Sequence, residues 1–344
     1  MIAEQVADLT AATPGRTEGN IGVLGTGAYL PEHVVANTEI GPPAGVSDEW
    51  IIRKTGIHSR RYAERGEATS DLCLSAAHAS LKESGLTPDD LSLIVVATST
   101  PDSPQPPTAA VLAAALGAPP TAAAFDLNAV CSGFVFAVDV ARRFLTAGCT
   151  GHALVLGADL YSRIINPSDR KTAVLLGDGA GAAVLGPVEH DRGILATQLM
   201  TFGEYQDLVQ VAAGGSRLPT SAETLAQELH YFTMQGREVA NFVRTHIPKV
   251  VDAFLSAHDF DAADVRHLVP HQANGNLIQT LAADLSLPTA TTHTTVDRYG
   301  NTGAASVAVT LDDAAKKNLF EPGQLVLLAG FGGGMSIGLA LIRW

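Results

Sequence analysis

One pattern occurs twice along this chain, and it limits the fold more than any other feature. Between Cys131 and Gly157, 26 positions apart, a small-residue turn opens a helix, and a buried strand ending in glycine follows. Between Gly303 and Gly330, 27 positions apart, the same order returns. Two similar βα halves imply a duplicated α/β unit whose copies share one interface. The composition permits it. Of 344 residues, 46% are apolar and only 17% charged, enough to cover sheets with helices on both faces.

The apolar pattern predicts strands at residues 21–25, 93–97, 123–127, 153–156, 268–270, 291–295 and 325–329. Residues 26–27 read as a turn, and 172–185 as two strands around a glycine-rich turn. Helices are predicted over 47–56, opened by a capping Ser47, and over 69–84, closed by Gly85. Further helices are predicted over 108–116, from 133 to about 145, after Asn274, and from 303 to about 317. The break between the copies falls near 188–193. Residues 1–18 lack the basic start and long apolar core of a signal peptide, and read as a mobile arm; the cytoplasm is then the default compartment. No apolar run approaches the roughly 20 residues that cross a bilayer. A net charge of −13 argues against nucleic acid and anionic membrane as partners.

Three cysteines, Cys73, Cys131 and Cys149, show no spacing typical of disulfide frameworks or metal sites. Cys73 and Cys149 read as small core residues. Cys131 stands where a buried strand turns into a helix, beside Ser132-Gly133. Free N–H groups and the positive dipole end there favour a thiolate, which predicts a lowered pKa. His271 follows a strand and opens a helix, and Asn301 lies in the tight loop Tyr299-Gly300-Asn301-Thr302-Gly303. A Cys with a distant His and Asn serves two chemistries. In a papain-like protease the His takes the thiol proton; in a condensing enzyme His and Asn both donate to a thioester carbonyl and stabilise an enolate. Both loops end adjacent buried strands, which favours the second. The run Gly330-Phe331-Gly332-Gly333-Gly334 lets the backbone approach a reacting group and offer an N–H to an oxyanion. Gly177-Asp178-Gly179-Ala180-Gly181 precedes an apolar strand where a dinucleotide site needs a helix, so it reads as a structural turn. The other ten histidines show no metal-ligand pairing, and no metal, flavin or nicotinamide is implied.

Taken together, Asp48-Glu49-Trp50-Ile51-Ile52, Asn128-Ala129-Val130-Cys131-Ser132-Gly133-Phe134, Asp169-Arg170, the 177–183 glycine segment, Pro270-His271-Gln272-Ala273-Asn274, Tyr299-Gly300-Asn301-Thr302 and the 330–334 run resemble the β-ketoacyl-acyl-carrier-protein synthase III family of the thiolase superfamily. The resemblance runs from about residue 21 to the end of the chain. It implies a five-layer αβαβα thiolase fold in a homodimer: after the 1–18 arm, a 19–190 half carries the nucleophile, and a 191–344 half carries His and Asn. By that resemblance Cys131 carries an acyl group from acyl-CoA. His271 and Asn301 polarise the malonyl thioester, on acyl carrier protein or CoA, as CO2 leaves. N–H groups of Cys131 and Gly333 form the oxyanion hole. Trp50 stacks on the adenine of coenzyme A, with Arg170 nearby and Asn274 along the pantetheine channel. On its own, Trp50 would read as a core aromatic and Arg170 as a solvated charge.

The chain departs from the family pattern at the tunnel. Lys54 stands where a second Arg is common, keeping charge without the planar fork. Met335 replaces a common Phe with a softer wall. The positions that dock acidic carrier protein are Asn241, Asn276, Ala283 and Asp284, none of them basic. Arg237 and Arg244, seven apart on one helix, are the candidates for a replacement patch. The loop Thr100-Pro101-Asp102-Ser103-Pro104-Gln105-Pro106-Pro107 looks like that of synthases priming polyketide pathways. The leading expectation is decarboxylative Claisen condensation in a specialised polyketide or fatty-acid pathway. A second passes the Cys131 acyl group to a small-molecule hydroxyl or amine, with His271 as general base. A third is a non-catalytic partner subunit, which would have lost Cys131. Asn301 favours condensation, because an amide donates to a carbonyl and takes up no proton.

Overall fold

The computed structural model describes residues 20–147 and 151–344; the expected arm and Cys149 lie outside them. In chain order the first half contributes β1 (Asn20–Tyr29), β2 (Val34–Ala36), β3 (Ser59–Arg61), β4 (Leu91–Ala97), β5 (Ala123–Leu127), β6 (His152–Leu160) and β7 (Asp178–Val188). The second contributes β8 (Gly193–Thr201), β9 (Val209–Val211), β10 (Phe232–Met234), β11 (Val265–Pro270), β12 (Thr291–Thr292), β13 (Leu325–Gly332) and β14 (Ser336–Arg343). One sheet runs β1-β7-β6-β4-β5 and the other β8-β14-β13-β11-β12. In each, two antiparallel pairings on one side give way to two parallel pairings on the other. The two sheets therefore have the same order and the same strand directions.

Burial explains the layers. Along β4, Leu93 and Val95 face the inner core while Ile94 and Val96 face an outer one, and all four are fully buried. From Leu93 to Ala97 the strand has no polar face, hence its unbroken apolar sequence there. The inner core gathers Phe134, Val138 and Ala141 of the helix Gly133–Thr146 with Val307, Leu311 and Ala314 of the helix Ala305–Lys316, between the two sheets. The helices Thr69–Ser84 and Thr108–Leu116 cover the first sheet's outer face through Leu72, Ala76 and Leu112. The helices Gly236–Ala257 and Gly275–Asp284 cover the second through Val243, Ile247 and Leu281. The result is five layers, αβαβα. Each fully buried aliphatic adds roughly 1.5–3 kcal/mol, so the central helices contribute to the burial of both sheets' inner faces.

Some elements differ from expectation. β1 does not stop at Thr26-Gly27 but runs on to Tyr29, past an irregularity between Val23 and Gly25. Residues 172–185 hold one strand, not two: turns occupy 172–175, and β7 starts at Asp178. Gly179 and Gly181 are strand residues, not a turn. A side chain on Gly181 would strike the Ala308 methyl at 2.5 Å, so the glycine lets the strand lie against the central helix. β12 is only two residues long, against an expected five.

Candidate active site

The nucleophile position is built by local backbone chemistry. After β5, the side-chain oxygen of Asn128 accepts the Val130 N–H at 3.0 Å, and the Ser132 hydroxyl donates to the Ala129 carbonyl at 2.7 Å. Val130 is held at φ 48°, a left-handed conformation costly for a β-branched residue, about 1–3 kcal/mol. The forced turn aims Cys131 into the molecule just before the helix Gly133–Thr146 begins. Gly332 of β13 lies against it: a Cβ there would sit 2.8 Å from both the backbone nitrogen and the Cβ of Cys131.

His271 leaves β11 with its N–H donating to the Ala329 carbonyl at 2.8 Å, and its ring meets Phe331 edge-on at 5.2 Å. Nδ1 lies 2.7 Å from the Ser306 hydroxyl. Burial pushes the imidazole down to about 3, so it stays neutral. Asn301 is clamped to the other half: its N–H donates to the Leu175 carbonyl at 2.8 Å, and its own carbonyl accepts from Gly177 at 2.9 Å. Its side-chain oxygen accepts the Gly303 N–H at 2.9 Å, which leaves the NH2 group to donate elsewhere. Gly300 makes the loop possible. Its φ of 64° with ψ of −160° suits only glycine, and a Cβ would strike the Leu175 carbonyl at 2.7 Å.

Cys131, His271, Asn301 and Gly333 line one tunnel of about 450 Å³, and Trp50, Lys54, Arg170, Asn274 and Met335 line the same tunnel. All nine residues singled out in the sequence are thus brought together. Trp50 is half-buried on the helix Asp48–Thr55, Lys54 is one turn along it, and Arg170 is joined by Lys171, which sequence reasoning missed. Met335 is fully buried. The Asn274 amide is occupied by structure: its oxygen caps the helix Gly275–Asp284, and its nitrogen donates to the Lys54 carbonyl at 3.3 Å.

The expected lowering of the Cys131 pKa is not met. Burial pushes the thiol up to about 12, and the Asp159 carboxylate adds to the rise. The helix end was visible in the sequence, but desolvation depends on packing and was not. Tyr161, also missed, faces the sulfur with its hydroxyl and bonds Ser99 at 3.1 Å. Asp159, fully buried and pushed up to about 6 by burial, accepts from Ser99, Thr98 and Thr100, and from the Ala304 N–H at 2.7 Å. It thereby ties the Cys131 half to the helix following Asn301. Its signal in the sequence is a lone carboxylate at the end of an apolar strand. The replacement basic patch is weakened: Arg244 pairs with Asp284 at 3.3 Å.

A cysteine elbow at one sheet, facing a histidine and an asparagine carried by the second copy, defines a condensing enzyme of the thiolase fold. The family model described as 3-oxoacyl-[acyl-carrier-protein (ACP)] synthase III matches residues 125–203, and the one described as its C terminal matches 255–344. The acetoacetyl CoA synthase NphT7 of Streptomyces sp. strain CL190 is 55% identical over 331 residues, covering 95% of this chain and 100% of that one. A β-ketoacyl-[acyl-carrier-protein] synthase III of Clostridioides difficile strain 630 is 42% identical over 323 residues, covering 94% and 98%. The crystal structure of the priming β-ketosynthase from the R1128 polyketide biosynthetic pathway matches with a TM-score of 0.87 at 30% identity, over 96% of this chain and 98% of that one. The chain belongs to the β-ketoacyl-[acyl-carrier-protein] synthase III family. It is an acyltransferase that joins an acyl group to a malonyl thioester by decarboxylative condensation.

Proposed function

We propose that this enzyme condenses a short acyl primer, acetyl in the first instance, with malonyl-CoA to give acetoacetyl-CoA and CO2. The observation that carries the reading is the pair of neutral donors, His271 and Asn301, lining one tunnel with Cys131. Cys131 attacks the acyl-CoA thioester, its S–H proton ends on the departing CoA sulfur, and the acyl group stays on the enzyme. Malonyl-CoA then enters. As its C–C bond to the carboxylate breaks, the electron pair moves into an enolate whose oxygen receives hydrogen bonds from His271 and Asn301. The enolate carbon attacks the Cys131 thioester, whose oxyanion accepts from the Cys131 and Gly333 N–H groups. The sulfur leaves and regains one proton from solvent. A histidine this hard to protonate is a poor general base, which counts against passing the acyl group to a hydroxyl or amine.

Coenzyme A is the preferred carrier in this reading. Lys54, Arg170 and Lys171 at the mouth suit its phosphates, and Trp50 suits its adenine. For carrier protein, Asn241, Asn276 and Ala283 offer no positive charge, and Arg244 is already paired with Asp284. Similarity to an acetoacetyl CoA synthase over nearly the whole chain supports the same choice. A cytoplasmic homodimer in a specialised acetoacetyl- or polyketide-forming pathway fits this reading, and β5 leaves one sheet edge open for a second copy. The test compares kcat/KM for malonyl-CoA and malonyl-carrier protein. Malonyl-CoA is expected to be preferred, and Asp284→Ala, by releasing Arg244, to raise the carrier value. A preference for the carrier in the unaltered enzyme refutes the assignment.

A further inference from the structure

Ser306 stands on the helix Ala305–Lys316, fully buried and one turn beyond Asn301. Its hydroxyl oxygen has two polar neighbours: His271 Nδ1 at 2.7 Å and the backbone nitrogen of Gln272 at 3.4 Å. The Gln272 N–H can only donate, so it uses a lone pair of the hydroxyl. The hydroxyl proton then has one acceptor among the described residues, His271 Nδ1. The opposite arrangement, Nδ1–H donating to Ser306, would aim two donors at one oxygen and leave a buried hydroxyl proton with no acceptor. Folded proteins avoid that.

We propose that Ser306 is a positioning residue that donates to Nδ1 of His271 and so fixes the imidazole in its Nε2–H tautomer. The tautomer decides what His271 does. With Nε2 protonated and Nδ1 occupied, the ring offers a donor to the malonyl thioester oxygen and no lone pair to the Cys131 proton. The thiol proton of the loading step therefore travels to the CoA sulfur through water and not through His271. The arrangement also explains a site made of two neutral donors: Gly303 fixes the amide of Asn301 from behind, and Ser306 fixes His271 in the same way.

The inference rests on the condensation reading for its consequence, but its first test does not. In enzyme carrying 15N-labelled histidine, the two ring nitrogens of His271, assigned by their loss in His271→Gln, report the tautomer directly. The expected spectrum has protonated Nε2 and bare Nδ1 between pH 6 and 8. A protonated Nδ1 overturns the proposal, whatever the enzyme catalyses. In Ser306→Ala the spectrum is expected to shift toward Nδ1–H or a mixture. CO2 release from malonyl-CoA is expected to fall roughly 10- to 100-fold, the range for removing a partner that orients a functional imidazole, with acyl loading of Cys131 falling far less. A slower Ser306→Ala enzyme with an unchanged His271 spectrum would make the residue merely structural. A changed spectrum with full activity would remove its part in the reaction. Either overturns the proposal. If unaltered enzyme releases no CO2, the condensation reading fails, while the spectrum still decides whether Ser306 sets the tautomer.

Discussion

Replacing Gly332 with alanine puts a methyl group against the backbone of the nucleophile itself. The added carbon would stand 2.8 Å from the Cys131 nitrogen, 2.8 Å from its Cβ and 3.1 Å from its Cα, where ordinary contact begins at 3.4 Å. The shortfall is about 0.6 Å, and the atoms involved cannot rotate away as a side-chain tip would. β13 is held on one side by β11 and on the other by β14, where Gly332 pairs with Ser336. The elbow already holds Val130 at positive φ. Cys131 must therefore yield. Overpacking of this kind costs about 1–3 kcal/mol, which for a chain of this length lowers Tm by roughly 1–4 °C. Misplacing a reacting atom by 1 Å can cost about 100-fold, so a shift near 0.6 Å is expected to slow acyl loading roughly tenfold. The assay is the rate at which Cys131 gains acetyl mass from acetyl-CoA, alongside thermal unfolding. Loading at the unaltered rate would refute the coupling between Gly332 and the nucleophile, even if Tm fell.

Three further outcomes follow from the site. Asn301→Asp keeps the acceptor for Gly303 but removes the donor; CO2 release from malonyl-CoA is expected to fall about 100- to 1,000-fold while Cys131 still takes up acyl mass. Loss of less than about tenfold would argue that Asn301 does not face the enolate. Because burial holds the Cys131 thiol up to about 12, inactivation by iodoacetamide should accelerate about tenfold per pH unit from 7 to 10; a plateau below pH 9 would contradict this. His271 is held down to about 3, below its unfolded value near 6.5. Its contribution to stability is therefore intact above 6.5 and lost as pH falls toward 3, by up to about 1.4 kcal/mol per unit. Urea unfolding at pH 7, 6 and 5 should show a steeper loss for the unaltered enzyme than for His271→Gln, and parallel losses would count against it.

The duplication was legible because burial on both faces of β4 leaves an unbroken apolar run, and because small-residue turns mark both central helices. The candidate residues were legible for a related reason: Cys131 and His271 fall just beyond the ends of strands, and Asn301 lies in a tight glycine-flanked loop. What escaped depends on partners distant in sequence. Ser306 has no local signature; its meaning comes from His271, 35 positions away. The strand nature of Gly181 was hidden because its neighbour is the Ala305–Lys316 helix, more than a hundred residues on. The thiol was expected to be acidic from its helix end alone, whereas burial, with the Asp159 carboxylate nearby, reverses the direction. The charge of Arg244 was visible in the sequence, but its pairing with Asp284 across two helices was not.

The central claim is that an acyl group on Cys131 leaves only by joining the carbanion of a malonyl thioester. Enzyme preloaded from acetyl-CoA and freed of CoA would be mixed with malonyl-CoA, following intact protein mass and CO2 in the same sample. The account predicts one CO2 for each acetyl lost from Cys131, with acetoacetyl-CoA as product. Acetyl that stays on the enzyme, or leaves without CO2, would contradict it.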